Sequence, residues 1–390
     1  MEDDVNRTVN RKKVMLVFGT RPEAVKMAPL AQALRTVDWC EPIVAVTAQH
    51  REMLDQVMEL FEVTADYDLN MLTPGQTLND VTVKALNGLG PIIESVQPDA
   101  VVVQGDTTTT FAGALAAFYR QVPVVHMEAG LRTDDPFSPF PEEINRRLTT
   151  QLATLHLAAT PMSCANLVRD GVARDKVVIT GNTVIDALHW AVDRVPSYES
   201  DVLDRLDATG RKILLVTAHR RESWGEPMRN VGLALADLSA KFPDLEIVFP
   251  IHRNPLVRDA IMPTIEGLAN VTVLEPLAYG AFSRIMARSH VVLTDSGGVQ
   301  EEAPSLGKPV LVLRDTTERP EAVKAGTAKL IGTDRSRIVD EVSTLLTDPA
   351  SYAAMANAVN PYGDGKASAR TIAAMGHMFG FNERPEEFEG

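Results

Sequence analysis

Short runs of apolar residues separated by amphipathic stretches recur along this chain, in two series. VMLVFG (14–19), IVAVTA (43–48), AVVVQG (100–105), VPVVHM (122–127) and LHLAAT (155–160) form the first. KILLVTAH (212–219), EIVFPIH (246–252), VTVLEP (271–276), HVVLTD (290–295) and PVLVLR (309–314) form the second. Runs this short and this continuously apolar fit strands buried on both faces, the signature of a parallel sheet covered by helices. The series breaks after VVITGNTVIDAL (177–188), at the charged, irregular DRVPSYESDV (193–202). Each half is long enough for a doubly wound α/β domain, and a chain of 390 residues also predicts two domains. The expected division is 1–182 and 183–364. In such sheets ligands bind beyond the carboxyl ends of the strands, so the turns leaving them, and a cleft between the halves, are where chemistry is expected.

Composition narrows the partners. A formal charge of −14 argues against nucleic acid or an anionic membrane. No stretch approaches the roughly 20 apolar residues of a membrane span, and the polar first dozen residues lack the apolar core of a signal peptide. The two cysteines, Cys40 and Cys164, lie far apart and lack metal-ligand neighbours, which fits a reducing, cytoplasmic setting. Residues 1–11 and the acidic FNERPEEFEG (381–390) read as disordered.

Five strand-exit turns carry chemistry-bearing residues. In FGTRPEAVKMAPL (18–30), Thr20 and Glu23 fit a capping box with Pro22 in the first helical turn. Arg21 and Lys26 then sit near a helix N-terminus, where a cation costs about 0.3–1 kcal/mol. They are solvated surface charges, or they face a bound anion such as phosphate. In QGDTTTTF (104–111), Asp106 is either an N-cap or a functional carboxylate. HMEAGLRTDDPFSPFPEEINRR (126–147) places His126 and Glu128 at a strand end and opens a helix with Glu142 and Glu143. The H-x-E pair lacks further evident ligands, so no metal site is expected, and the two helix glutamates could equally complement the helix dipole. TAHRRE (217–222) sets His219 beside two arginines. In LTDSGGVQEEAPSLGKPV (293–310), two glycines at a strand's end leave backbone N–H groups free to approach an anion. Glutamates one turn on suit hydroxyls or a positive group, and a nucleotide sugar offers both a diphosphate for the N–H groups and hydroxyls for the carboxylates. Arg319–Lys324 repeats the RPEAVK of 21–26 letter for letter.

Taken together, GTRPEAVKMAPL, GDTTTTF, HMEAGLRT, PFPEEINRR, GNTVIDAL, TAHRRE, TDSGGVQEEAPSLGKPVLVLRDTTERPEAV and NPYGDGKA resemble the non-hydrolysing UDP-N-acetylglucosamine 2-epimerases of bacteria, from about residue 13 to about 380. The resemblance implies two Rossmann-like domains facing a cleft, the glycosyltransferase-B architecture. Its C-terminal helix would cross back to the first domain, making 365–390 a return segment. It also implies a homodimer that needs no cofactor and interconverts UDP-GlcNAc and UDP-ManNAc for surface polysaccharide synthesis.

Carried over by position, the resemblance implies that Arg21, Ser296, Gly297 and Gly298 hold the diphosphate. Phe282 would pack by uracil, Glu302 would accept ribose hydroxyls and Arg319 would lie near the sugar–phosphate junction. Lys26, Asp106, Glu128, Glu142 and His219 would serve the chemistry: elimination of UDP to 2-acetamidoglucal, then re-addition. Ser223 departs from the asparagine of relatives. Gly75 stands where some carry an arginine of a second, activating UDP-GlcNAc site. A glycosyltransferase, a hydrolysing epimerase and a silent UDP-sugar sensor are the alternative readings on this architecture.

Overall fold

The computed structural model describes residues 11–48, 51–73, 75–198 and 200–390, with backbone alone at 51 and 52. The apolar runs become strands. The first sheet has seven: β1 (Lys12–Phe18), β2 (Cys40–Val46), β3 (Tyr67–Asp68), β4 (Ala100–Gln104), β5 (Val124–Ala129), β6 (Leu155–Ala158) and β7 (Val177–Ile179). The second has six: β8 (Lys212–Thr217), β9 (Leu245–Pro250), β10 (Val271–Leu274), β11 (Val291–Thr294), β12 (Val310–Val312) and β13 (Ala328–Leu330). Their spatial orders are β3-β2-β1-β4-β5-β6-β7 and β10-β9-β8-β11-β12-β13, and the neighbours pair in parallel. The edge strands β3 and β13 were not anticipated, since two or three residues are too few to show a pattern.

Burial explains the uninterrupted apolar runs. Val14–Phe18 has no exposed surface, because helices cover both faces of β1. Each such side chain contributes roughly 1.5–3 kcal/mol by leaving water, and Leu16→Ala would cost about 2–5 kcal/mol once the cavity is counted.

Strand order sets where a ligand can enter. In the first sheet the order reverses between β1 and β4, where Val14 registers with Ala100 and Val17 with Val103. In the second it reverses between β8 and β11, where Val216 registers with Leu293. Helices leaving neighbouring strands diverge to opposite faces at such a point, which opens a crevice beyond the strand ends.

The chain divides into two compact units: one runs to Ala187 and takes in Gly363–Gly390, the other is Leu188–Tyr362. The division falls inside the continuous helix Thr183–Arg194 rather than ahead of it. The helix Ala367–Met378 packs on Arg21–Leu34, and the Asp186 carboxylate accepts the backbone N–H of Ala367 (3.1 Å) and Ser368 (2.7 Å) at its start. Burial pushes the Asp186 carboxyl up despite those donors.

The acidic tail corrects an expectation, for 381–390 is ordered. Phe388 is buried against Leu167, Val177 and Ile179, and its N–H donates to the Ile179 carbonyl at 2.8 Å, beside β7. Glu387 pairs with Arg174 and Arg384, so its charge is neutralised locally. A single aromatic anchor and two arginines outweigh the compositional signal. The other segment read as disordered lies, up to residue 10, outside the described residues. Among the described residues no helix is long and apolar enough to cross a membrane.

Candidate active site

The β1 exit turn is built around a buried carboxylate. A Cβ on Gly19 would fall 1.8 Å from Thr47 Oγ1, so only glycine lets the chain leave β1 beside β2. Arg21 then opens the helix Arg21–Leu34, with Thr20 as N-cap. Glu23 does more than the capping box required. Its Oε2 accepts from the N–H of Gly19 (3.0 Å), the N–H of Thr20 (2.8 Å) and the Thr20 hydroxyl (2.8 Å). Its Oε1 accepts from the hydroxyls of Thr107 (2.6 Å) and Thr110 (3.1 Å), at the exit of β4.

One turn along the same helix, Lys26 forms an ion pair with Glu128 at the end of β5. Glu128 also accepts from the side-chain amides of Gln104 and Asn182, the latter at 3.4 Å. The backbone makes this convergence possible: Glu128 has φ +56°, and the β5–β6 register shifts between Met127 and Ala129. A left-handed, non-glycine residue at a bulge costs of order 1–3 kcal/mol and re-aims the side chain, a feature that clusters at functional sites.

Asp106 follows β4 through Gly105, whose φ of +73° suits glycine. Its carboxylate lies 2.6 Å from the Arg146 guanidinium, and its carbonyl accepts from the Asn145 side chain at 3.0 Å. Burial pushes the Asp106 carboxyl up. Arg146 and Lys26 oppose this, while the charges of Glu128 and Glu142 add to it. His126 holds the turn from below: its Nε2 lies 2.7 Å from the Gly105 carbonyl and must be the donor. Full burial lowers its pKa to about 4, so the ring is neutral near pH 7.

The two helix glutamates part company. Glu143 is buried and accepts from Thr133, Arg146 and Arg147, so it folds the proline-rich loop onto the helix Glu142–Leu152. Glu142 is half-buried, and its charge acts on Asp106.

The second unit answers with donors. His219 follows β8, and its Nδ1 lies 3.0 Å from Oδ1 of the buried Asp295. Asp295 Oδ2 accepts the N–H of His219 (2.6 Å) and of Arg220 (2.8 Å). Burial favours the protonated Asp295, but these partners outweigh it and hold the carboxyl below its usual range. The His219 ring stacks on His252, 5.7 Å between centroids. Ser296 caps the helix Gly297–Ser305, and a Cβ at Gly298 would meet no atom within 4 Å. Beyond Gly297 stand the guanidinium groups of Arg220 and Arg319, the latter paired with the buried Glu301. Glu302 accepts from the Tyr279 hydroxyl at 3.2 Å, and Phe282 is half-buried on the helix Tyr279–Arg288.

Within the first unit, then, Lys26, Asp106 and Glu128 converge, with Glu142 acting on Asp106 and Arg21 opening the adjacent turn. Within the second, Ser296, Gly297 and Arg319 gather beside Arg220, with His219 on the neighbouring strand exit. Sequence reasoning missed four of their partners, Gln104, Arg146, Asn182 and Asp295, whereas Glu301 is one of the two helix glutamates it singled out and faces the positive Arg319. A polar residue closing a buried strand (Gln104, Asp295) was the available signal; Arg146 and Asn182 carried none. Among the described residues no three His, Cys, Asp or Glu side chains are grouped to hold a metal.

Residues 32–376 match the sequence profile of a family described as UDP-N-acetylglucosamine 2-epimerase. The UDP-N-acetylglucosamine 2-epimerase of Escherichia coli K12 is 53% identical over 93% of this chain and 98% of its own length. A crystal structure of the Listeria monocytogenes protein described as a UDP-N-acetylglucosamine 2-epimerase superposes with a TM-score of 0.92 at 45% identity, covering 97% of this chain and 100% of that one. The Neisseria meningitidis enzyme, solved with UDP-GlcNAc bound, superposes with a TM-score of 0.83 at 48% identity, over 93% and 99% of the two chains. The two-sheet fold is that of the glycosyltransferase-B class.

Proposed function

Since the chain belongs to the UDP-N-acetylglucosamine 2-epimerase family, we propose that it interconverts UDP-GlcNAc and UDP-ManNAc without net hydrolysis, by elimination and re-addition. A carboxylate removes the C2 proton as the C1–O bond breaks. UDP leaves with the electron pair, and 2-acetamidoglucal remains with a C1=C2 double bond. A proton then returns to C2 from the opposite face, and a UDP oxygen re-forms the bond to C1. The sum is an isomerisation.

One observation carries this reading: two carboxylates at adjacent strand exits, in contrasting surroundings. Glu128 is ringed by three donors, whereas burial pushes the Asp106 carboxyl up against the pull of Arg146 and Lys26. In this assignment Glu142 tunes Asp106, and Lys26 orients Glu128. The departing diphosphate gains charge, which Arg21, His219, Ser296, Arg319 and the N–H groups of Gly297 and Gly298 stabilise. Phe282 packs by the uracil, and Glu302 takes the ribose hydroxyls. The homodimer and the supply of surface polysaccharide precursors are part of the same proposal.

Incubation with UDP-GlcNAc alone tests it. Nuclear magnetic resonance should show UDP-ManNAc appearing, and in deuterated water the product should carry deuterium at C2. Release of free ManNAc with UDP would identify a hydrolysing enzyme instead, and an unchanged sugar would leave a transferase or a sensor.

A further inference from the structure

Glu23 is buried, has five hydrogen-bond donors around it and has no part in the mechanism above. Three of the donors belong to the β1 exit turn: the N–H groups of Gly19 and Thr20, and the Thr20 hydroxyl. The other two are the hydroxyls of Thr107 and Thr110 at the β4 exit. Helix capping explains only the first group. Thr107 already caps its own helix by accepting from the Thr110 N–H at 3.1 Å, so its bond to Glu23 is additional. The contacts also close a ring. The single Thr110 hydroxyl proton is shared between Glu23 and the Gln104 carbonyl, 2.5 Å away, the Gln104 side chain donates to Glu128, and Glu128 pairs with Lys26, one turn from Glu23.

We propose that Glu23 is a positioning residue that locks the turn carrying Arg21 to the turn carrying Asp106, across the switch point of the first sheet. Resting on the function above, it means that the leaving-group contact and the proton-transfer group share one frame. A buried carboxylate suits the task because each oxygen accepts several bonds, and buried polar groups hold strict geometry only when fully satisfied. Displacing a reacting group by about 1 Å can cost about 10²-fold in rate.

The test uses the full chain with Glu23→Ala, Glu23→Gln and Thr107→Ala, read by kcat and KM with UDP-GlcNAc and by amide hydrogen exchange. Glu23→Ala should lower kcat by roughly 10–100-fold, more than it changes KM, and speed exchange at both turns. Glu23→Gln should restore kcat to within about three-fold. Its carbonyl can still take the Gly19 and Thr20 N–H groups, while its amide donates to the two hydroxyls. Thr107→Ala touches only the far side, so faster exchange at Gly19–Arg21 is the coupling itself. The proposal is overturned if Thr107→Ala leaves those amides unchanged, or if glutamine serves no better than alanine. Should Glu23→Ala fail to fold, the other two variants decide. If the wild-type protein does not turn over UDP-GlcNAc, the function is wrong, and the exchange measurements still judge the lock.

Discussion

The hexapeptide RPEAVK occurs twice, and its copies share little beyond their letters. At 21–26 it opens the long helix Arg21–Leu34, with Arg21 as first helical residue; at 319–324 Arg319 is the N-cap of the short helix Pro320–Ala325. Gly326, at φ +79°, ends the second helix in a left-handed cap, whereas Met27 carries the first onward into the core. Glu23 is buried among five donors; Glu321 is half-buried and accepts from the Tyr362 hydroxyl at 3.1 Å. Lys26 pairs with Glu128, while Lys324 is exposed. Identical local sequence thus starts a helix in both places. The neighbours supplied by the sheet decide whether its charges are buried, paired or merely solvated.

The contrast breaks first at the carboxylates facing Lys26. Asp106→Asn and Glu128→Gln keep shape and lose basicity, so each should lower turnover by about 10²–10⁴-fold with little loss of folding. Near-normal turnover, or product without C2 deuterium, would take the chemistry out of the first unit. The lysines come next: Lys26→Ala should cost about 10²-fold in kcat, because Glu128 loses its charged partner, whereas Lys324→Ala should stay within about two-fold. Equal losses at the two positions would erase the distinction.

At the arginines, Arg21→Ala should weaken UDP binding by about 1.5–3 kcal/mol in calorimetry; unchanged affinity would mark Arg21 as a solvated charge. A fourth expectation concerns the first sheet's buried imidazoles. Burial lowers His126 to about 4 and His156 to about 3, from an ordinary 6.5. The unfolded chain therefore binds more protons between those values and 6.5, so stability falls as pH drops through that window. From pH 7.5 to 5 each ring should cost about 2 kcal/mol, and His156→Leu should flatten the slope seen in urea unfolding. The smallest effect is at Glu321, where alanine should cost under about 1 kcal/mol of stability.

The strands were legible because burial on both faces leaves no alternative to continuous apolar runs. Much of the site was legible too, since polar residues closing such runs have few structural reasons to be there. What escaped came from pairing at long range. Asp106 and Arg146 are forty positions apart along the sequence and 2.6 Å apart in space. The tail was misread because composition averages over ten residues, while Phe388 and the two arginines that pair with Glu387 decide that it docks.

By itself, then, the sequence determined two doubly wound parallel sheets, the turns that leave them and the residue types those turns present, since periodicity, caps and glycine are local properties. The tertiary structure alone decided which carboxylate is ringed by donors, which is pushed up by burial, and which partners each copy of the repeated hexapeptide meets. Those outcomes depend on burial and on partners brought together by strand order, and no local stretch of chain contains either.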